Sequence, residues 1–108
     1  MRARVLTLCA VLLLVSCVGT PEEQEFARRF ESVTEGESEV HVLELLGSPD
    51  ERDQTFQLSQ REGFESIYEG AARSGSTYWL RWRRSIDLTY TVGFDTNQKV
   101  RFKAVGGT

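Results

Sequence analysis

Three segments near the carboxyl end alternate apolar and polar side chains with a period of two. In Thr77–Arg84, Tyr78, Leu80 and Trp82 alternate with Trp79, Arg81 and Arg83. In Asp87–Phe94, Leu88, Tyr90, Val92 and Phe94 alternate with Thr89, Thr91 and Gly93. In Lys99–Val105, Val100, Phe102 and Ala104 alternate with Arg101 and Lys103. Successive side chains of a strand point to opposite faces, so this pattern predicts three half-buried strands. The links, Ser85-Ile86 and Asp95-Thr96-Asn97-Gln98, are too short for a crossover and predict an antiparallel meander. One face of that meander is apolar and has to be covered by something else in the chain.

The covering elements lie upstream. Thr20-Pro21-Glu22-Glu23 reads as a helix start, with Thr20 as N-cap, Pro21 at the first helical position and acids at the positive end of the dipole. Phe26, Phe30 and Val33 follow at i, i+4 and i+7, a single apolar stripe. Gly36 interrupts. Ser38 caps a second helix, with Val42, Leu45 and Leu46 on one face, and Gly47 and Pro49 stop it. The expected fold is therefore α+β, two N-terminal helices packed on one face of a three-stranded antiparallel meander. In between, Phe64, Ile67, Tyr68 and Ala71 are spaced as on a third short helix, and Phe56 and Leu58 suit a short extended segment.

Charge divides the chain unevenly. Pro21 to Glu69 holds 14 acids and 4 bases, a net of −10, whereas Gly70 to Thr108 holds 2 acids and 7 bases, a net of +5. This is not the continuous basic patch that phosphate backbones require, so nucleic acid is not an expected partner. Self-complementary packing or two different partner faces remain.

The amino terminus has the layout of an export signal. Arg2 and Arg4 precede an apolar run from Val5 to Val15, shorter than the roughly 20 residues that span a bilayer. Leu14-Val15-Ser16-Cys17 resembles the lipobox of bacterial lipoproteins. The resemblance implies a signal peptide over 1–16, cleavage before Cys17, acylation of its thiol, and a short tether over 17–20 leading to a domain over 21–108. Of the two cysteines, Cys9 would leave with the signal. Cys17 alone would remain, so an internal disulfide or thiolate metal site is not expected. Val18 follows where an aspartate would favour retention in the inner membrane. The implied location is the bacterial outer membrane, lipid-anchored and facing the periplasm.

A second resemblance concerns the domain itself. Gly36-Glu37-Ser38, then Val42, then Leu46-Gly47-Ser48-Pro49 resembles the "G-M-T … V … L-G-T-P" signature of the SmpA/OmlA (BamE-like) lipoproteins. The spacing between the glycines matches, and so does the order that follows: an aromatic strand, a strand ending in Phe94-Asp95, a turn and a final strand. Glu37 stands where that family has an apolar Met, and Glu51–Ser76 exceeds the family's usual loop. The resemblance implies a tethered two-helix, three-strand domain serving the machinery that inserts β-barrels into the outer membrane. Related small domains of β-lactamase-inhibitor type share the helix–turn pattern.

Catalytic chemistry finds no foothold. The single histidine, His41, lies early in the second helix with no Ser-His-Asp or Cys-His set around it. Glu62, Glu65 and Glu69 read as a solvated helix face, and Asp50-Glu51-Arg52-Asp53 lacks calcium-loop spacing. No catalytic residue, metal ligand or cofactor is expected. The partner-binding candidates are Trp79, Arg81, Arg83, Arg101 and Lys103, a tryptophan among cations on the sheet face away from the helices. The competing expectation is that the helix carrying Ile67 and Tyr68 covers Trp79.

The expected function is a non-catalytic interaction module in outer-membrane assembly or envelope maintenance. Its expected partners are outer-membrane lipid through acylated Cys17, and the barrel-assembly machinery or another envelope protein. The alternatives are a module that binds an exported enzyme and a membrane-surface tether without a dedicated partner.

Overall fold

The computed structural model describes residues 20–56, 65–85 and 88–106. Cys17, Leu58, Glu62 and Phe64 lie outside these residues, as does the whole of the expected signal over 1–16. In chain order the elements are α1 (Pro21–Glu31), α2 (Glu39–Leu46), β1 (Glu51–Asp53), α3 (Glu65–Arg73), β2 (Tyr78–Ser85), β3 (Leu88–Phe94) and β4 (Val100–Gly106). The strands form one antiparallel sheet in the order β1-β2-β3-β4. The α+β class is as expected, with four strands rather than three. The fourth, β1, has three charged residues and no apolar alternation to announce it. Pairing with the outer edge of β2, Glu51 opposite Arg81 and Asp53 opposite Trp79, makes it a strand.

The helices begin and end where their caps dictate. Thr20 Oγ1 accepts the Glu23 N–H at 3.1 Å, and Pro21 occupies the first turn, where its missing N–H costs nothing. Ser38 Oγ accepts the His41 N–H at 3.2 Å. Gly36 and Gly47 both adopt positive φ, +92° and +81°, which a side chain would strain. At Gly36 this turn stitches the interhelix loop to the sheet. Its N–H donates to the Val100 carbonyl at 2.9 Å, and the Val100 N–H donates to the Glu37 carbonyl at 2.8 Å.

The core lies between α1, α2 and one sheet face. Phe26, Phe30, Val33, Val42 and Leu46 meet Leu80, Trp82, Tyr90, Val92, Phe94 and Val100. Phe26 and Phe30 each set a ring edge-on to Tyr90, with centroids 4.8 Å apart. Trp82 donates its indole N–H to the Gly47 carbonyl at 3.1 Å, tying the end of α2 to the middle of the sheet. At the other end of α2, Tyr78 donates its hydroxyl to Glu39 at 2.5 Å, and Arg52 donates to the same carboxylate at 2.8 Å.

Burial, then the bond to Glu39 and its negative charge, push Tyr78 up to about 12. An ionisation constant raised on folding stabilises the fold fully below pH 10 and is lost as pH climbs toward 12. The wild type should therefore lose up to about 2 kcal/mol more stability than Tyr78→Phe between those limits. Denaturant titrations at pH 9, 10.5 and 12 check this; parallel losses in both proteins would refute it.

The third helix is present and covers the opposite sheet face. There Phe56 packs edge-on against Tyr68 and Phe102, with centroids at 5.1 and 5.3 Å, and tilts toward Trp79 at 6.1 Å. This second layer explains Gly93. A Cβ there would lie 2.4 Å from Ser76 Oγ, 3.0 Å from Ser76 Cβ and 2.8 Å from Trp79 Nε1. Gly93→Ala should cost about 1–3 kcal/mol through overpacking. Adding Ser76→Gly should return part of that loss in thermal melts, because it removes two of the three clashing atoms.

Candidate functional site

The sheet face away from α1 and α2 was the expected interaction surface. Its rows follow from the register: Asp53, Trp79, Gly93 and Phe102, then Glu51, Arg81, Thr91 and Ala104, then Arg83, Thr89 and Gly106. Trp79, Arg81 and Arg83 thus share this face, as the alternation predicted. Arg101 and Lys103 do not belong with them. The pairing shifts between Gly93 and Phe94, so Gly93 faces Phe102 while Phe94 faces Val100. Arg101 is the extra residue of a β-bulge, and the bulge reverses the parity of every position after it. Phe102 and Ala104, expected in the helix-side core, lie on the back face instead.

Lys103 is consequently turned toward α1. Its Nζ lies 5.2 Å over the Phe30 ring and donates to the Phe30 and Glu31 carbonyls, 3.1 Å each. A cation there closes the negative end of the helix. Arg101 sits at the rim, donating to Asp95 at 2.7 Å and reaching Glu35 at 3.4 Å. The hydrogen bond from Arg101, followed by that from the Lys99 N–H, holds the Asp95 carboxyl below the usual carboxylate range.

The remaining three candidates differ in exposure. Trp79 is 8% exposed and Arg81 4%, so neither projects into solvent. Trp79 is covered from the side of Phe56 and α3, as the competing expectation held. Residues Phe56, Tyr68, Ala71, Ala72 and Trp79 line an opening of about 330 Å³ there. Arg81 is held by Glu51 and Asp53 of β1, and Arg83 shares Glu51. Burial, then the neighbouring Arg83 charge, lower the Arg81 ionisation constant. Arg83 alone remains half open, at 57% side-chain exposure.

These pairings answer the charge asymmetry read from the sequence. The acidic front half meets the basic back half inside one molecule, through Glu51, Asp53 and Glu35 on one side and Arg81, Arg83 and Arg101 on the other. β1 was the missing partner. Its alternating charges, Glu51-Arg52-Asp53, put both acids on one face, which was a signal available in the sequence. The buried part of this face is imperfectly matched. Trp79 Nε1, Arg81 Nη1, Thr89 Oγ1 and Thr91 Oγ1 are buried with no hydrogen-bond partner among the described residues.

His41 lies at an exposed position of α2, its Nε2 3.7 Å from Glu37. Among the described residues no three His, Cys, Asp or Glu side chains are grouped to hold a metal ion, and no helix is long and apolar enough to cross a membrane. Comparison with protein-family models, with curated proteins and with solved structures finds no match to this chain.

Proposed function

We propose that this chain is an exported lipoprotein, anchored by acylated Cys17 in the outer membrane. Its α+β domain serves there as a non-catalytic interaction module in envelope assembly. The observation that carries the reading is the segment Gly36–Gly47. Its first glycine takes a positive φ and is stitched to β4, Ser38 caps α2, Val42 and Leu46 face the core, and Gly47 at positive φ ends the helix. Gly36, Ser38, Val42, Leu46 and Gly47 occupy positions that suit the SmpA/OmlA-like signature, which supports the reading, while Glu37 departs from it. The lipobox-like Leu14-Val15-Ser16-Cys17 supports the anchor.

Arg81, buried and paired with Glu51 and Asp53, is removed from any charge-led binding face. The reading is tested by brief cross-linking in envelopes, detergent extraction and pull-down of carboxyl-tagged protein. Wild type should recover the barrel-assembly machinery, and Cys17→Ser should lose it. Feeding a clickable palmitate analogue should label wild type and leave Cys17→Ser unlabelled. A labelled protein that recovers no such machinery keeps its anchor and loses the assembly role.

A further inference from the structure

The fold has two distinct poles. α1 starts beside the end of β2, where Arg84 Cζ lies 4.5 Å over the Phe26 ring. It ends beside β4, where Lys103 meets its last carbonyls. α2 runs the other way, from Glu39 at the Tyr78 hydroxyl to Gly47 at the Trp82 indole. Pro21, Leu45, Leu46 and Arg84 therefore surround one opening of about 400 Å³ at the first pole. The opposite pole holds Glu35, Gly36 and the turn Asp95–Gln98, joined where Gly36 bonds to Val100 and Glu39 N–H donates to the Gln98 carbonyl at 2.9 Å.

The cap at Thr20 fixes where α1 begins. Its hydroxyl and its carbonyl are both engaged, by the Glu23 N–H at 3.1 Å and the Gln24 N–H at 3.0 Å. Only Val18, Gly19 and Thr20 separate Cys17 from Pro21. Four Cα-to-Cα steps reach at most about 14 Å. From the first pole to the second, β2 alone extends its eight residues over about 26 Å.

We propose that the pole formed by Pro21, Leu45, Ser48 and Arg84 rests on the phospholipid surface that holds the acylated Cys17, with the Glu35–Asn97 pole pointing away. This inference rests on the lipid-anchor reading above. The tether leaves from the near pole and reaches about half the height of the domain, so the domain cannot turn over to bring the far pole down. Covalent reach sets the orientation, and head-group charge does not. The same pole faces neutral and anionic bilayers. Any partner of this protein is met at the membrane surface, within about one domain height of it.

The test uses the full lipidated protein, carrying a fluorescent amino acid at Ser48 or at Asn97, both exposed positions. It is reconstituted into phosphatidylcholine vesicles, or into mixed phosphatidylethanolamine and phosphatidylglycerol vesicles, containing a head-group-labelled quencher lipid. Quenching at Ser48 should exceed that at Asn97 several-fold, equally on both vesicle types. Inserting about 20 Gly and Ser residues after Gly19 should bring the two sites close to equality, because a flexible linker of that length spans the domain. Equal quenching, or stronger quenching at Asn97, in unmodified protein that floats with the vesicles would overturn the orientation alone. Protein that fails to float would overturn the anchor and the orientation with it.

Discussion

Trp82→Ala should remove a large part of the stability of this domain, with an expected loss of about 3–5 kcal/mol in equilibrium denaturation. Small domains are stable by only about 5–15 kcal/mol, so a loss of this size removes a third or more of the stability of a domain near the middle of that range. Trp82 is 1% exposed and is the largest of the fully buried side chains. It stands between the sheet and α2, and its indole N–H satisfies the Gly47 carbonyl at the helix end. Removing it opens a cavity and orphans that carbonyl together. Trp82→Phe separates the two effects. It keeps most of the packing and should cost about 1–2 kcal/mol, the smaller volume plus one hydrogen bond. A Trp82→Ala protein that unfolds at the wild-type midpoint would show that α2 is not held by this contact.

Arg81→Ala is expected to be nearly as damaging, for an electrostatic reason. Arg81 is buried between Glu51 and Asp53, and these two acids lie on β1 beside each other on one face. Without the guanidinium, Asp53 loses its partner and Glu51 keeps only the half-exposed Arg83. Breaking a buried pair from one side costs about 3–5 kcal/mol. Glu51 and Asp53 are each about one-third exposed, at 31% and 32%, so solvent returns part of that and about 2–3 kcal/mol is expected. The triple change Arg81→Met, Glu51→Gln and Asp53→Asn should be far milder, because it removes the charges together. Hydrogen exchange adds a local readout. Arg81→Ala should speed exchange at the Asp50 N–H, which donates to the Arg81 carbonyl at 2.8 Å, well before the core amides of β3.

The two predictions also mark which parts of the fold were legible. The helix-side core was readable because its signals are local. The caps Thr20 and Ser38, the stops Gly47 and Pro49, and the apolar spacing of Phe26, Phe30, Val42 and Leu46 each act within a few residues. The back face was read only in part. Trp79, Arg81 and Arg83 were placed on it correctly by strand alternation, yet alternation says nothing about what lies above a face. Burial of Trp79 by Phe56 and α3, and of Arg81 by β1, is a long-range outcome.

The amino-acid sequence by itself determined the class and the order of every element but β1. It set two capped helices, a run of alternating strands joined by short links, and an acidic half followed by a basic half. Those properties depend on residue type and on spacing along the chain, which is one-dimensional information. The tertiary structure decided three things that spacing does not contain. The charged triplet Glu51–Asp53 became a strand because the outer edge of β2 offered unpaired backbone groups and Arg81 offered a counter-charge. Lys103 and Phe102 exchanged faces because one extra residue at Arg101 shifted the pairing, and in a structure of period two a shift of one inverts every later side chain. The pole at which α1 starts was fixed by the direction of α1 against the sheet, a direction set by where Phe26, Phe30 and Tyr90 pack.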